Sequence, residues 1–195
     1  MPKIEAPTIE EHVCKQMERV LTSASALFRK QGFHGTDMSD IASAVGLARN
    51  SLYRYYPNKE HILVACVERD MGPYLDKYRS LEAGFPDPRA RIDAWIDMSI
   101  DIATSPAHAT LELISEIQEA SPELRQQILQ LHMAPNTVLE RAVRQTLGRQ
   151  RRDPALVTAM IAGMVQSGAG QAIRRRSHTA VKRELKSTVS RLLQP

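Results

Sequence analysis

A chain of 195 residues has room for one or two domains, and 43% hydrophobic with 25% charged residues is the composition of an ordinary globular protein. No run of 18 apolar residues is present, and the opening MPKIEAPTIEEH lacks an apolar stretch, so neither a membrane span nor a secretory signal is expected; the expected location is the cytoplasm. Two cysteines, Cys14 and Cys66, fall within helical patterns and are expected to fill core or near-core space in a reducing compartment rather than to form a disulfide.

The first predicted element is a helix over residues 9–31. Thr8 and Glu11 have the spacing of a capping box, Val13, Met17, Val20, Ala24, Leu27 and Phe28 recur at helical spacing, and Gly32 ends the run. Thr36 and Asp37 are both good N-cap residues for a second helix. Its apolar face is Met38, Ile41, Ala42 and Val45, and Gly46 supplies the left-handed residue on which it can stop and reverse. Leu47 is an apolar plug. A third helix is expected over residues 49–56, halted by Pro57, with Leu52 and Tyr56 facing the core.

Two short helices about a tight turn, on a covering first helix, form a helix-turn-helix, whose second helix lies in the major groove of DNA. Arg49, Asn50, Ser51, Tyr53, Arg54 and Tyr55 are left facing outward, and from Gly46 to Lys59 the chain has Arg49, Arg54 and Lys59 and no acid. Arg suits guanine edges or phosphates, Asn suits adenine edges, and hydroxyls suit phosphate oxygens. Arg49, Asn50 and Tyr53 are therefore candidates for base contacts, and Thr36, Ser51, Arg54, Tyr55 and Lys59 for phosphate contacts.

Everything beyond residue 58 reads as helix. One helix is expected from residue 59 to about 78, with Ile62, Leu63, Cys66 and Val67 apolar and a kink or break at Gly72-Pro73. Pro86 and Pro88 bracket a turn before a helix over 89–104, with Ile92, Trp95, Ile96, Ser99, Ile102 and Ala103 inward; Asp93, Asp97 and Asp101 are read as a solvated acidic stripe rather than a metal ladder. Pro106 opens a helix to about residue 119. Ser121-Pro122-Glu123 starts another through Leu147, ended by Gly148 and interrupted by a kink or break near residues 132–134, before Pro135. A helix over 154–173 is rich in small residues, and a last one over 179–193 has Val181, Leu185, Val189 and Leu192 in one stripe.

Charge is unevenly distributed. Residues 1–60 carry 8 basic and 7 acidic side chains, residues 61–140 carry 6 and 13, and residues 141–195 carry 12 and 2. The positive charge of the reading segment is thus local to the third helix and Lys59. The arginines at 149, 151, 152 and 174–176 are read as flanking helix ends, where cations suit the negative end of the dipole.

From Leu27 to Leu63 the sequence LFRKQGFHGTDMSDIASAVGLARNSLYRYYPNKEHIL resembles the TetR-type bacterial transcriptional regulators. The resemblance rests on Leu27, Phe28, Gly32 and Phe33 closing helix 1, Thr36, the Asp40-Ile41-Ala42 run, Gly46-Leu47 in the turn, Leu52-Tyr53, Tyr56 and Lys59-Glu60. Two positions depart from the pattern: Ala48, where Ser or Thr usually caps the third helix, and Asn50, where Gly or Ala is frequent. The resemblance implies an all-α chain, with a three-helix DNA-binding domain over 1–58 and a helical effector-binding and dimerisation domain over 59–195. It implies a homodimer through the last two helices, a palindromic double-stranded DNA operator, repression, and control by a small, apolar effector. Trp95, Met98, Ile102, Met133 and Met164 are named as pocket candidates because Met and Trp adapt to apolar ligands.

Catalysis has little support in the sequence. None of the common metalloprotease, P-loop, nucleophile-elbow or dinucleotide motifs is present, and neither a cofactor nor a metal is expected. His108, Glu112 and Glu116 could share a helix face, but one such ladder is weak. The alternative of another class is an all-helical ligand-binding or interaction module that does not read DNA.

Overall fold

The computed structural model describes residues 9–105, 108, 113–117, 121–175 and 177–194. The described residues contain α-helices, one 3-10 turn and no strand. The helices are α1 (Ile9–Gln31), α2 (Met38–Val45), α3 (Arg49–Leu52), α4 (Lys59–Gly84), α5 (Pro88–Ala103), α6 (Pro122–Leu147), α7 (Pro154–Arg175) and α8 (His178–Leu192); the 3-10 turn is Leu113–Glu116. The chain is thus all-α, as expected. It divides into two compact units, one of residues 1–70 and 109–126 and one of residues 71–108 and 127–195.

In the first unit α1 buries Val20, Leu21, Ala24 and Phe28, α2 buries Met38, Ile41, Ala42 and Val45, and α4 contributes Ile62, Leu63, Val64, Cys66 and Val67. The apolar spacing names all of these but Leu21 and Val64, while Val13, Met17 and Leu27 of the expected α1 stripe are half-buried. Thr8, the expected cap of α1, lies outside the described residues. Cys66 is buried, its thiol donates to the Leu21 carbonyl at 3.4 Å, and burial pushes its pKa up to about 11. Cys14 is exposed, contrary to expectation. It lies at i+3 from Glu11 and i−4 from Glu18, on the polar stripe of α1, and not beside Val20 and Ala24.

The α1–α4 contact is tied by Arg69. Its guanidinium donates to Asp70 at 2.9 Å, to Ser25 Oγ at 3.0 Å and to Glu18 and Thr22 at 3.3 Å.

In the second unit α5 begins as its sequence dictates: the Asp87 carboxylate accepts from the Ala90 N–H at 3.0 Å, and Pro88 takes the first helical position. Ile92, Trp95, Ile96, Ile100 and Ile102 are buried. So is Arg91, 5% exposed, which bonds the Phe85 and Pro86 carbonyls and Gln145 Oε1 and thereby fixes the turn before its own helix. The acidic row on α5 is not simply solvated. Asp97 and Asp101 meet Lys186 and Lys182 of α8 at 2.5 and 2.6 Å, pairing an i,i+4 row on one helix with an i,i+4 row on the other.

Neither internal proline breaks its helix. A helix-interior proline costs about 3 kcal/mol, but each large apolar side chain buried nearby returns about 1.5–3 kcal/mol. Around Pro73 these are Met71, Leu75, Tyr78 and Leu81; beyond Pro135 they are Val138, Leu139 and Val143. The Pro135 carbonyl also accepts from the Trp95 indole at 2.9 Å. The helix expected over 106–119 lies mostly outside the described residues, and its described part, Leu113–Glu116, is a 3-10 turn.

The small residues of α7 serve a close approach. A methyl group at Gly168 would come within 2.9 Å of Leu185 and 3.3 Å of Val181, both on α8. Leu193, not Leu192, is the buried residue that closes the chain. Two arginines cap this end, Arg152 bonding the Leu192 carbonyl at 2.6 Å and Arg89 the Leu193 carbonyl at 3.3 Å. By length and composition alone residues 154–174 would suffice to cross a membrane, at a mean hydropathy of 1.2. Glycine, serine and glutamine interrupt this helix, so it holds no unbroken apolar run of 18 residues.

Trp95→Phe shrinks the buried ring and removes the indole N–H, so the part-buried Pro135 carbonyl loses that donor. The expected loss is about 1–3 kcal/mol in denaturant unfolding; unchanged stability would show that the indole bond holds nothing.

Candidate nucleic-acid interface

The helix-turn-helix is fixed from both ends of α2. Asp37 caps its start, accepting from the Ser39 and Asp40 N–H groups at 2.7 and 2.9 Å, while Asp40 accepts from the Asp37 N–H at 3.0 Å. This is a complete capping box, built on Asp at both positions. Thr36, named with Asp37 as a cap, does not share that role. At the other end Gly46 adopts φ 75°, and the Leu47 N–H returns to the Ala42 carbonyl at 2.9 Å. That left-handed turn is strained for any residue with a Cβ. Arg19 of α1 adds a bond to the Val45 carbonyl at 3.0 Å; nothing in the local sequence signals it, because the two residues lie 26 apart.

The third helix is shorter than its spacing predicts. α3 is one turn, Arg49–Leu52, and the chain continues to Tyr56 in tight turns. Ala48 provides no side-chain cap. The anchors are the expected ones: Leu52 is fully buried and Tyr56 is 7% exposed.

On the outward side Arg49, Asn50, Tyr53 and Arg54 are exposed, and Ser51 and Tyr55 are half-buried. Arg49 Nη2 donates to the Tyr53 hydroxyl at 3.1 Å, and its guanidinium carbon lies 5.6 Å from the Tyr53 ring centroid. The hydroxyl bond, with smaller attraction from Tyr53 and from Asp37, raises the Arg49 pKa.

Two residues named as phosphate contacts are committed elsewhere. Thr36 is 1% exposed, and its hydroxyl donates to the Gly32 carbonyl at 2.8 Å. Lys59 Nζ donates to the Phe33 and Thr36 carbonyls, both at 2.9 Å, and lies 4.5 Å from the Phe33 ring centroid. Phe33 is itself buried against Phe28, with ring centroids 5.7 Å apart. Thr36 and Lys59 therefore belong to the frame: the ammonium at the start of α4 clamps the loop between α1 and α2.

The five effector candidates do not share one cavity. Trp95 is buried with its N–H engaged, and Met133 is 57% exposed. Met98 and Ile102 line a hollow of about 380 Å³ between α4 and α5, with Tyr74, Leu81 and Phe85 on the other wall. Met164 lines a separate groove of about 680 Å³ between α7 and α8. Among the described residues no cluster of His, Cys, Asp or Glu could hold a metal; Glu112 lies outside them, and Glu116 is 3.9 Å from His34.

Removing the Lys59 clamp leaves two carbonyls without their charged donor. Lys59→Met is expected to lower stability by about 2 kcal/mol, read from denaturant unfolding; a phosphate contact alone would leave stability unchanged. The hydrogen bonds from the Asp40 and Ser39 N–H groups hold the Asp37 carboxyl below its usual range. A lowered folded pKa gives stability that is present above the unfolded value and is lost as pH falls through the folded one. The thermal midpoint of the native chain should therefore drop more than that of Asp37→Asn on acidification below pH about 4; parallel curves would remove Asp37 from the account.

A family model described as bacterial regulatory proteins, tetR family, matches residues 20–66. The HTH-type transcriptional regulator RutR of Escherichia coli K12 is 24% identical over 116 residues, 60% of this chain and 54% of RutR. The HTH-type transcriptional repressor KstR2 of Rhodococcus jostii is 28% identical over 97 residues, half of this chain and 47% of KstR2. The chain thus spans about half the length of the curated relatives it matches. In structure it is similar to the fatty acid degradation regulator FadR from Bacillus halodurans, at a TM-score of 0.69, 21% identity, and coverage of 89% of this chain and 94% of that one. It is also similar to FadR from Bacillus subtilis, solved with stearoyl-CoA, at a TM-score of 0.68, 19% identity, and coverage of 90% and 96%. The family model is thus seated on the capped α2, the Gly46 turn and the anchored α3, and over residues 20–66 this chain is similar to the TetR-type bacterial regulatory proteins.

Proposed function

We propose that the protein is a homodimeric transcriptional regulator that represses from a palindromic DNA operator and answers to a small effector with a large apolar part. The observation that carries this reading is the exposed face of α3 and the turns after it, which offers Arg49, Asn50, Tyr53 and Arg54 and no acid, on a segment fixed from beneath by Leu52 and Tyr56. Arg49 and Asn50 take the base-facing role, with Tyr53 beside Arg49 on the same face; Ser51, Arg54 and Tyr55 take the phosphate role. A single copy of such a short reader buries little, and two copies about 34–36 Å apart engage successive major grooves.

Dimerisation is assigned to α7 and α8. Leu156 and Met160 are 60% and 49% exposed, one turn apart on α7 beside the exposed Gly163 and Ser167. That is an apolar strip with small residues, suited to close packing against its own copy. For the effector, the hollow at Met98 and Ile102 combines apolar side chains with Lys77, Asp97 and Asp101 on its lining, and the stearoyl-CoA held by the Bacillus subtilis FadR supports a long apolar ligand with a polar end.

Selection of randomised duplexes by the full-length protein, with its oligomeric state followed by light scattering, tests the reading. The expected result is enrichment of a two-fold symmetric site bound by a dimer. Arg54→Ala should weaken every duplex by a similar factor, while Arg49→Ala should also relax preference at one position in each half-site. A folded dimer that enriches no sequence would overturn the proposal.

A further inference from the structure

Arg49 and Tyr53 touch each other, although both stand on the outward face of the reader. The i,i+4 spacing puts them one above the other, and the Tyr53 N–H bonds back to the Arg49 carbonyl at 3.3 Å, which fixes that register. The guanidinium then meets the phenol twice, by the 3.1 Å bond to the hydroxyl and by its position 5.6 Å from the ring centroid. An exposed arginine ordinarily samples many rotamers, and ordering it opposes binding. Here the ordering is done before DNA arrives. One of the five guanidinium N–H donors is used by Tyr53, leaving enough for a parallel pair.

Resting on the DNA-reading role proposed above, we infer that Tyr53 is a positioning residue for Arg49, and that the pair reads one guanine in each half-site. Arg49 opens α3, and the N-terminal residues of a recognition helix are those that meet base edges. The fork of an arginine matches guanine O6 and N7, and no other base presents two acceptors side by side in the major groove. Lysine at that position would keep the charge but lose the fork.

The test uses the full-length protein and the duplex that it enriches, with guanines replaced singly by 7-deazaguanine, which removes N7 and keeps the base pair. For the native chain one guanine per half-site should show a loss of about tenfold. Arg49→Lys should bind the two duplexes within about twofold of each other. Tyr53→Phe keeps the ring and removes the hydroxyl; its discrimination should fall to about threefold, with an unchanged melting midpoint. Added to Arg49→Lys, it should cause no further loss. The inference is overturned if Tyr53→Phe keeps full discrimination, if its effect is as large in the Arg49→Lys background, or if no guanine is sensitive. These results leave an enriched palindrome, and so the DNA-reading role, standing. If the native chain enriches no site, both fall together.

Discussion

A helix of one turn with no side-chain cap cannot hold its own shape, because forming the first turn fixes several backbone angles for a single hydrogen bond. α3 is such a helix, and what it presents to solvent depends on what holds it from behind. Leu52 and Tyr56 enter the core, Gly46 sets the angle of entry, and Asp37 with Asp40 fixes α2 ahead of it. Lys59 closes the arrangement by tying the start of α4 to the loop before α2. Stiffness at the reading surface is therefore assembled from long-range contacts, and the outward residues are left free of structural duty.

That division explains which parts were legible in the sequence. The course of α1, the burial of Met38, Ile41, Ala42 and Val45, and the left-handed Gly46 follow from apolar spacing and local cap chemistry, which act over a few residues. The roles of Lys59 and Thr36 are not legible there, for the opposite reason. A linear reading counts a lysine as surface charge and a threonine as a hydroxyl; it does not register that the Phe33 and Thr36 carbonyls converge on one ammonium, or that the Thr36 hydroxyl turns back to Gly32. The same limit applies to Arg19 and Arg91, whose partners lie far along the chain. The prolines of α4 and α6 mark where local propensity predicts a break and burial of neighbouring side chains overrides it. The pocket candidates scatter over the second unit, since methionine and tryptophan are soft core fillers wherever they fall.

The second unit is held by rows rather than by single contacts. α8 docks on α5 through two lysine–carboxylate pairs in register, on α7 where Gly168 admits Val181 and Leu185, and at its C-terminus through Arg89 and Arg152. Of the two, Arg152 belongs to the basic C-terminal region, and its contact there needs no DNA. What α7 leaves exposed, Leu156 and Met160, is the surface that the proposed dimer would cover.

In the proposed complex the face of α3 grips a nucleic-acid backbone as well as bases. The most direct measurement is the affinity of the full-length protein for its enriched duplex as a function of salt. Counterion release predicts a straight fall in log affinity against log salt, at least about tenfold between roughly 50 and 200 mM. An affinity that stays level across that range would contradict the account.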